Sequence, residues 1–337
     1  MVGIGGSAGS ITALETFVGA LPASFPGCLL VTVHTSSQVR SSLPAILSRA
    51  GSLPASHARD GDEIAAGRIL VAPPDQHLLT DGKSVRLSSG PRVNRHRPSM
   101  DVMFSSIAHC CGPRSVVVVL SGVLDDGAVG AALVARAGGT VFAQDPREAR
   151  FPSMPQAALA AAPGARAVGR AELAAVVEAA LRAPAARRRT ASAGAATHLD
   201  APEAPMNMAD SDDVAFLADG ESRLTRLVCP DCGGSLAEVD IPPARYYRCH
   251  EGHQYAPGSL AAAQAETAER KAWAAVAALH EYAASANRLA EDLDAEQAER
   301  YRRAAQRARN TAEAILGPLS AGELGADQDQ PRESDPS

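Results

Sequence analysis

The sequence predicts an α/β fold, a doubly wound and mostly parallel sheet, followed by a small zinc ribbon and a C-terminal helical hairpin. Three observations carry this expectation. Short runs that are apolar at every position alternate with segments of helical spacing as far as Arg182. Strands read that way when crossover helices cover both faces of a parallel sheet. A Cys/His cluster between Cys229 and His253 has metal-ligand spacing. After it, Ala, Glu, Arg and Leu recur with helical patterning.

The elements follow in order. Val2–Gly5 is a short apolar strand ending in glycines, and residues 11–21 (ITALETFVGAL) space their apolar side chains as a helix. Cys28–His34 (CLLVTVH) is a buried strand and Ser41–Arg49 a helix. Arg68–Ala72 is a strand, and His77–Thr80 and Ser84–Leu87 are short strands about the Asp81-Gly82 turn. Met100–Cys110 is a helix, with Cys110 and Cys111 packed at its end. Ser115–Leu120 (SVVVVL) is the strongest strand signal, since β-branched residues favour a pleated, buried surface. Ala128–Ala137 is a helix, Thr140–Ala143 a strand and Ala171–Arg182 a closing helix. These make a catalytic-type domain over 1–182. Residues 183–222, rich in Ala, Pro, Ser and charge without periodicity, read as a flexible linker that includes the Arg187–Arg189 run. A ribbon over 223–258 and a hairpin over 259–318 come next, with helices Leu260–Leu289 and Ala295–Leu316 parted near Glu291–Glu296. Gly317-Pro318 is expected to stop the second helix, and 319–337 to be a disordered tail.

Composition narrows the function classes. The chain has 337 residues, 46% of them hydrophobic and 21% charged, with a formal net charge of −6. That balance lacks the basic face of a nonspecific nucleic-acid binder. No apolar run approaches the roughly 18 residues of a membrane span. No charged segment followed by an apolar one marks secretion, so the expected compartment is the cytoplasm. Six cysteines are too few for a disulfide scaffold, and the closeness of three of them points to metal first.

Gly5-Gly6-Ser7-Ala8-Gly9 fits the G-x-S-x-G nucleophile elbow, with a strand before it and a helix after. Gly3, Gly5 and Ala8 also make a loose dinucleotide-binding finger, but His34 stands where its acidic ribose ligand is expected. Ser7, His34 and Asp126 all fall at or just beyond the carboxyl ends of predicted strands. In an open parallel sheet those ends converge on one rim, so the three can share a cleft. A serine, an imidazole and a carboxylate are the parts of a nucleophilic triad: His34 would take the Ser7 proton, and Asp126 would orient the imidazole. The plainer readings are a structural strand-end histidine and a helix N-cap aspartate. Gly6, Ala8, Gly9 and Val123 would form the oxyanion site and wall. Arg95, His96, Arg97 and His77 are candidates to line the cleft and steer an acidic substrate.

These stretches resemble the catalytic domain of CheB-type protein-glutamate methylesterases. The matching segments are GIGGSAGSITALETF, LLVTVH, RILVAPPDQHL, RPSMDVMFSSIA, VVVVLSGVLDDGAVGA and GGTVFAQDPREARFPSMPQAAL, six in order over about residues 2–182. The resemblance implies a serine hydrolase that demethylates glutamate γ-methyl esters on chemoreceptor-like proteins and releases methanol. Ser7 would be its nucleophile, His34 its base and Asp126 the orienter, with no catalytic cofactor. Glutamine deamidation by the same triad is the alternative, and a non-catalytic signalling adaptor is another. Ala8 stands where the family often has threonine, Ser10 where it often has glycine, and Val123-Leu124 where it often has Met-Gly. Typical members carry an N-terminal receiver domain; this sequence begins at the first strand, so control through a receiver in the same chain is not expected. The partners implied are a methylated receptor and a separate receiver, kinase or methyltransferase.

Cys229-Pro-Asp-Cys232-Gly-Gly and Cys249-His-Glu-Gly-His253 give a C-x2-C and C-x3-H pair suited to a structural zinc site. His250 is the alternative fourth ligand, iron the alternative metal, and a redox dithiol the non-metal reading. CPDCGGSL and YYRCHEGHQY are similar to zinc-ribbon tails on some stand-alone CheB-like proteins. In the hairpin, Trp273, Val276, Leu279 and Tyr282 follow a helical spacing, suited to internal packing or to docking.

Overall fold

The protein is described here from a computed structural model, over residues 1–34, 41–183 and 222–321. The proposed linker, the Arg187–Arg189 run and most of the expected tail lie outside the described residues.

Seven parallel strands form the central sheet: β1 (Val2–Gly6), β2 (Leu29–Val33), β3 (Ala55–His57), β4 (Ile69–Val71), β7 (Val116–Val119), β8 (Thr140–Gln144) and β9 (Arg166–Val168). Their order is β3-β4-β2-β1-β7-β8-β9. The chain leaves β1 toward β2 on one side and returns later as β7 on the other. That reversal opens a crevice at the carboxyl ends, where α/β sheets build their sites. The strands β5 (His77–Thr80) and β6 (Val85–Ser88) form a separate antiparallel hairpin.

Strand pleating sorts the apolar residues onto two faces. Leu29, Val31, Val116 and Val118 pack with Leu14, Phe17, Leu47 and Val177, from helices α1 (Ile11–Gly19), α2 (Leu43–Ala50) and α6 (Leu173–Arg182). Leu30, Val117 and Val119 pack on the other face with Met103, Phe104, Val134 and Ala158, from α3 (Met100–Cys111), α4 (Ala128–Arg136) and α5 (Ser153–Ala161). Each such side chain contributes about 1.5–3 kcal/mol on burial, so the two-faced core sustains the domain. The strands β3 and β9 and the helix α5 were not expected from the sequence. The two strands are three-residue edges with mostly exposed or half-buried side chains, and α5 is short and alanine-rich.

The ribbon is a four-stranded antiparallel sheet of β10 (Ser222–Val228), β11 (Ser235–Ile241), β12 (Ala244–Cys249) and β13 (Gln254–Tyr255). It belongs to the same compact unit as the central sheet, Met1–Leu260. Val239, Ile241, Tyr246 and Ala256 from the ribbon share one buried cluster with Leu79, Val93, Val102 and Val129.

The second unit, Ala261–Ser337, is built from α7 (Pro257–Leu289), whose first turn belongs to the first unit, and α8 (Ala295–Ser320). Asp294 caps α8, its carboxylate accepting from the N–H groups of Glu296 and Gln297. Gly317-Pro318 does not stop α8, which runs on to Ser320. A proline so near the end removes little of the backbone ladder. Of the expected apolar stripe, Val276 and Leu279 pack inside the hairpin, whereas Trp273 and Tyr282 are 44% and 52% exposed. The buried seam is Ala272, Val276, Leu279, Ala283 and Ala286, facing Tyr301, Ala305, Ala308, Ala312, Ile315 and Leu319. Steps of alternately four and three residues keep a seam on one side of a helix, whereas the repeated step of three rotates away from it.

Candidate active site and metal centre

Ser7 follows β1 directly and His34 follows β2 directly. The two strands are parallel neighbours with Gly6 opposite Val33, and the His34 N–H donates to the Gly6 carbonyl at 3.1 Å. Ser7 and His34 are therefore next in register on adjacent strands. The turn at Ser7 is tied down on both sides. Its N–H donates to the Ser121 carbonyl at 2.9 Å, and the Ser10 hydroxyl donates to its carbonyl at 2.7 Å. The Ser121 hydroxyl donates to the Ala8 carbonyl at 2.8 Å. Gly9 has φ +73°, the left-handed conformation that turns strand into helix. Gly122 lies against the nucleophile candidate: a Cβ there would come within 2.9 Å of Ser7 Cβ and collide with Met154. Gly6 is buried at the end of the ladder, Ala8 and Gly9 are exposed, and Val123 is half-buried. Among the described residues, the N–H groups of Ala8 and Gly9 have no hydrogen-bond acceptor.

Asp126 sits in the loop between β7 and α4, 2% exposed, with Oδ2 2.7 Å from His34 Nε2. The same carboxylate caps α3 from outside. It accepts from the Ser99 hydroxyl at 2.7 Å, Asn94 Nδ2 at 2.8 Å and the Met100 N–H at 2.8 Å. The first N–H groups of a helix have no partner within it and favour an anion. Burial alone would raise the Asp126 pKa, but the hydrogen bond and charge of His34, the His96 charge and the Met100 N–H outweigh it and hold the carboxyl below its ordinary range. With an ionised partner, His34 Nε2 carries the proton and donates, which leaves Nδ1 as the acceptor. His96 stacks on His34 with ring centroids 3.6 Å apart. Burial, then the neighbouring His34 charge, pushes its pKa down to about 4.

Beside Asp126 lies Asp101, 1% exposed, which accepts from Asn94 Nδ2 at 2.7 Å and the Gly130 N–H at 2.7 Å. Burial and the Asp126 charge raise its pKa well above the ordinary value. Asn94, Ser99 and Asp101 escaped the sequence reading. Ser99 had a usable signal, a serine directly before a helix, but the roles of Asn94 and Asp101 arise from contacts distant in sequence.

Two cleft candidates are structural instead. His77 is fully buried, its Nε2 at 3.0 Å from the Pro91 carbonyl and its Nδ1 accepting the Ser99 N–H at 3.2 Å. Arg97 is bound to Asp75 at 3.0 Å and donates to the carbonyls of Ser89 and Gly90.

In the ribbon, ligand atoms of Cys229, Cys232, Cys249 and His253 all lie within 4.8 Å of one another. Cys232 Sγ is 3.6 Å from Cys249 Sγ, which is 3.5 Å from His253 Nδ1. A tetrahedral ion with metal–sulfur bonds of about 2.3 Å sets sulfur atoms about 3.8 Å apart, so the donor set fits such an ion. His250 is not among the four converging ligands; its Nε2 lies 3.1 Å from Glu251 and its side chain is 68% exposed. Burial and the neighbouring Cys232 thiol push Cys249 up to about 12 in the absence of a cation. A bound divalent ion reverses that penalty by stabilising the thiolates.

Known proteins resemble the part of the chain that builds the central sheet. The family model described as CheB methylesterase matches residues 2–177. The protein-glutamate methylesterase/protein-glutamine glutaminase 4 of Anaeromyxobacter dehalogenans is 37% identical over 163 residues, 47% of this chain and 46% of that protein. A relative of the same name, numbered 2, from Pseudomonas aeruginosa is also 37% identical over 163 residues, with the same two coverages, 47% and 46%. The crystal structure of the Thermotoga maritima CheB methylesterase catalytic domain aligns with a TM-score of 0.50 at 28% identity, covering 53% of this chain and 96% of that one. The chain thus spans about half the length of the curated relatives it matches.

Proposed function

Because the chain belongs to the CheB methylesterase family, we propose that it hydrolyses glutamate γ-methyl esters on chemoreceptor-like proteins. The observation that carries the reading is the His34–Asp126 pair at 2.7 Å, beside Ser7 on the adjacent strand end. Ser7 Oγ attacks the ester carbonyl while its proton passes to His34 Nδ1. The N–H groups of Ala8 and Gly9 receive the oxyanion, with Gly6 and Val123 as wall. The methoxide leaves with the proton from His34 as methanol. Water then attacks the acyl-enzyme with His34 as base and frees the glutamate and Ser7. Asp126 stays ionised throughout and stabilises the imidazolium. The protein supplies nucleophile, base and donors, so the steps need no cofactor.

Methanol release from a methylated receptor cytoplasmic fragment tests this. Ser7→Ala should lower kcat by at least about a hundredfold, the scale of triad removal. Wild-type protein that releases no methanol from that fragment would refute it. Glutamine deamidation is the second reading, because both named relatives are also called protein-glutamine glutaminases. It shares the acyl-enzyme route and predicts a Gln→Glu mass change in the same fragment.

The ribbon cluster would hold zinc in a structural role, since four protein ligands leave no open position for chemistry. Metal analysis of the purified protein separates zinc from iron. The partners proposed are the methylated receptor and a separate receiver, kinase or methyltransferase. Among the described residues no helix is long and apolar enough to cross a membrane, and we place the activity in the cytoplasm.

A further inference from the structure

The ribbon and the candidate triad are joined through one side chain. Directly after the ligand His253, the Gln254 carbonyl accepts the Asn94 N–H at 2.8 Å. Two residues on, the Ala256 N–H donates to Asn94 Oδ1 at 2.7 Å. The other end of that amide donates to Asp126 Oδ1 at 2.8 Å and Asp101 Oδ2 at 2.7 Å. An amide oxygen must accept and an amide nitrogen must donate, so the ribbon backbone fixes which way Asn94 points. The next turn grips the neighbouring residue as well: the Gly258 and Ser259 N–H groups donate to Asp125 at 2.7 and 2.9 Å. Segment 254–259 therefore holds Asp126 from both sides, through Asn94 and through its chain neighbour Asp125. An ion held by the four ligands would pin the two ligand turns of the ribbon, and His253 is the chain neighbour of Gln254.

We propose that the metal-held ribbon positions Asp126 through Asn94, so that occupancy of the Cys229/Cys232/Cys249/His253 site sets the competence of the triad. The kinetic part rests on the methylesterase reading; the hydrogen-bond part does not. Asn94 is a positioning residue. Its φ of 51° suits glycine, so Asn94→Gly removes the amide and keeps the backbone.

The experiment uses the full chain, wild type and Asn94→Gly, loaded with zinc and stripped by a chelator. It records metal content, kcat and KM for methanol release, and the far-downfield NMR proton of the His34–Asp126 hydrogen bond, assigned by its loss in Asp126→Asn. Stripping the wild type should lower kcat by about a hundredfold, the cost of an ångström-scale misplacement, with KM changed less than about twofold. It should also shift or abolish the downfield proton. Zinc-loaded Asn94→Gly should retain its metal and show the same two changes. Stripping it should add much less than the hundredfold seen in the wild type, because the Asn94 connection is already broken and only the Asp125 contacts remain to be loosened. A stripped wild type with kcat within about twofold and an unmoved proton overturns the proposal, and so do losses that simply multiply. If the zinc-loaded wild type releases no methanol, the methylesterase reading falls. The proton still decides the coupling: movement on stripping and in Asn94→Gly supports it, and no movement overturns it.

Discussion

Asp126 is a carboxylate in a place that would ordinarily neutralise it. It stays charged because His34, Asn94, Ser99 and Met100 all donate to it. Asp101, with fewer donors and Asp126 beside it, is driven the other way. Replacing Asp126 by Asn should lower methanol release by orders of magnitude, because an amide N–H would face donors from which the carboxylate accepts and His34 would lose the partner that fixes its tautomer. Steady-state kinetics on the receptor fragment checks this. His77 makes a different prediction. Burial outweighs its Pro91 hydrogen bond and the Asp126 charge and pushes its pKa down to about 4, against about 6.5 in the unfolded chain. Between those values the unfolded chain binds a proton that the folded chain refuses. Stability is therefore full above about pH 6.5 and falls as pH drops toward 4. From pH 7 to 5 this residue should cost about 2 kcal/mol. Urea unfolding should show His77→Gln lacking that share of the pH dependence, whatever it loses at neutral pH. The convergence of Ser7, His34 and Asp126 at one edge of the sheet was legible in the sequence because strand ends of a parallel sheet share a rim. Asn94 was not, because nothing in a loop asparagine announces contacts with Asp126 and Ala256.

The central strands were legible for a simple reason: Leu29–Val33 and Val116–Val119 are buried along their whole length, so their composition leaves little choice. The edges β3 and β9 carry no such signal. Elbow and loop departures from the family pattern have local accounts. Ser10 donates its hydroxyl to the Ser7 carbonyl. Leu124 takes φ +66° at the position where the family often has glycine. In the hairpin the seam rests on small residues, and Ala305 is fully buried among Ala283, Ala286 and Ala308. A larger side chain has no space there, and helices packed through alanine approach closely. Ala305→Leu should destabilise the hairpin by about 1–3 kcal/mol through overpacking, read as an earlier melting transition of the helical signal. An unchanged or later transition would show that the seam is looser than its burial implies. Of the stripe read from sequence, Val276 and Leu279 pack in the seam and Trp273 and Tyr282 stay exposed, while the seam alanines carried no signal in the sequence.

At the scale of the molecule, the ribbon is the part whose place the sequence could not reveal. A Cys/His cluster beyond a stretch without periodicity reads as a separate module. Its apolar residues Val239, Ile241, Tyr246 and Ala256 show no sign in sequence of where they are buried. In the structure they cover Leu79, Val93, Val102 and Val129 within the first unit. The two cuts one can make in the chain therefore differ in consequence. Ending it at Arg270 keeps the ribbon, the turn that holds Asp125 and all the apolar clusters of the first unit. Of the two truncated proteins this one should have the higher unfolding midpoint, and it should match the metal content measured for the full chain. Ending it before Ser222 bares four apolar side chains and leaves Asn94 Oδ1 without the Ala256 donor. At about 1.5–3 kcal/mol per exposed side chain, that loss is comparable with the 5–15 kcal/mol stability of a typical domain. The shorter protein should aggregate or unfold at much lower denaturant. Equal midpoints for the two truncations would mean that the ribbon contributes nothing to the core it covers.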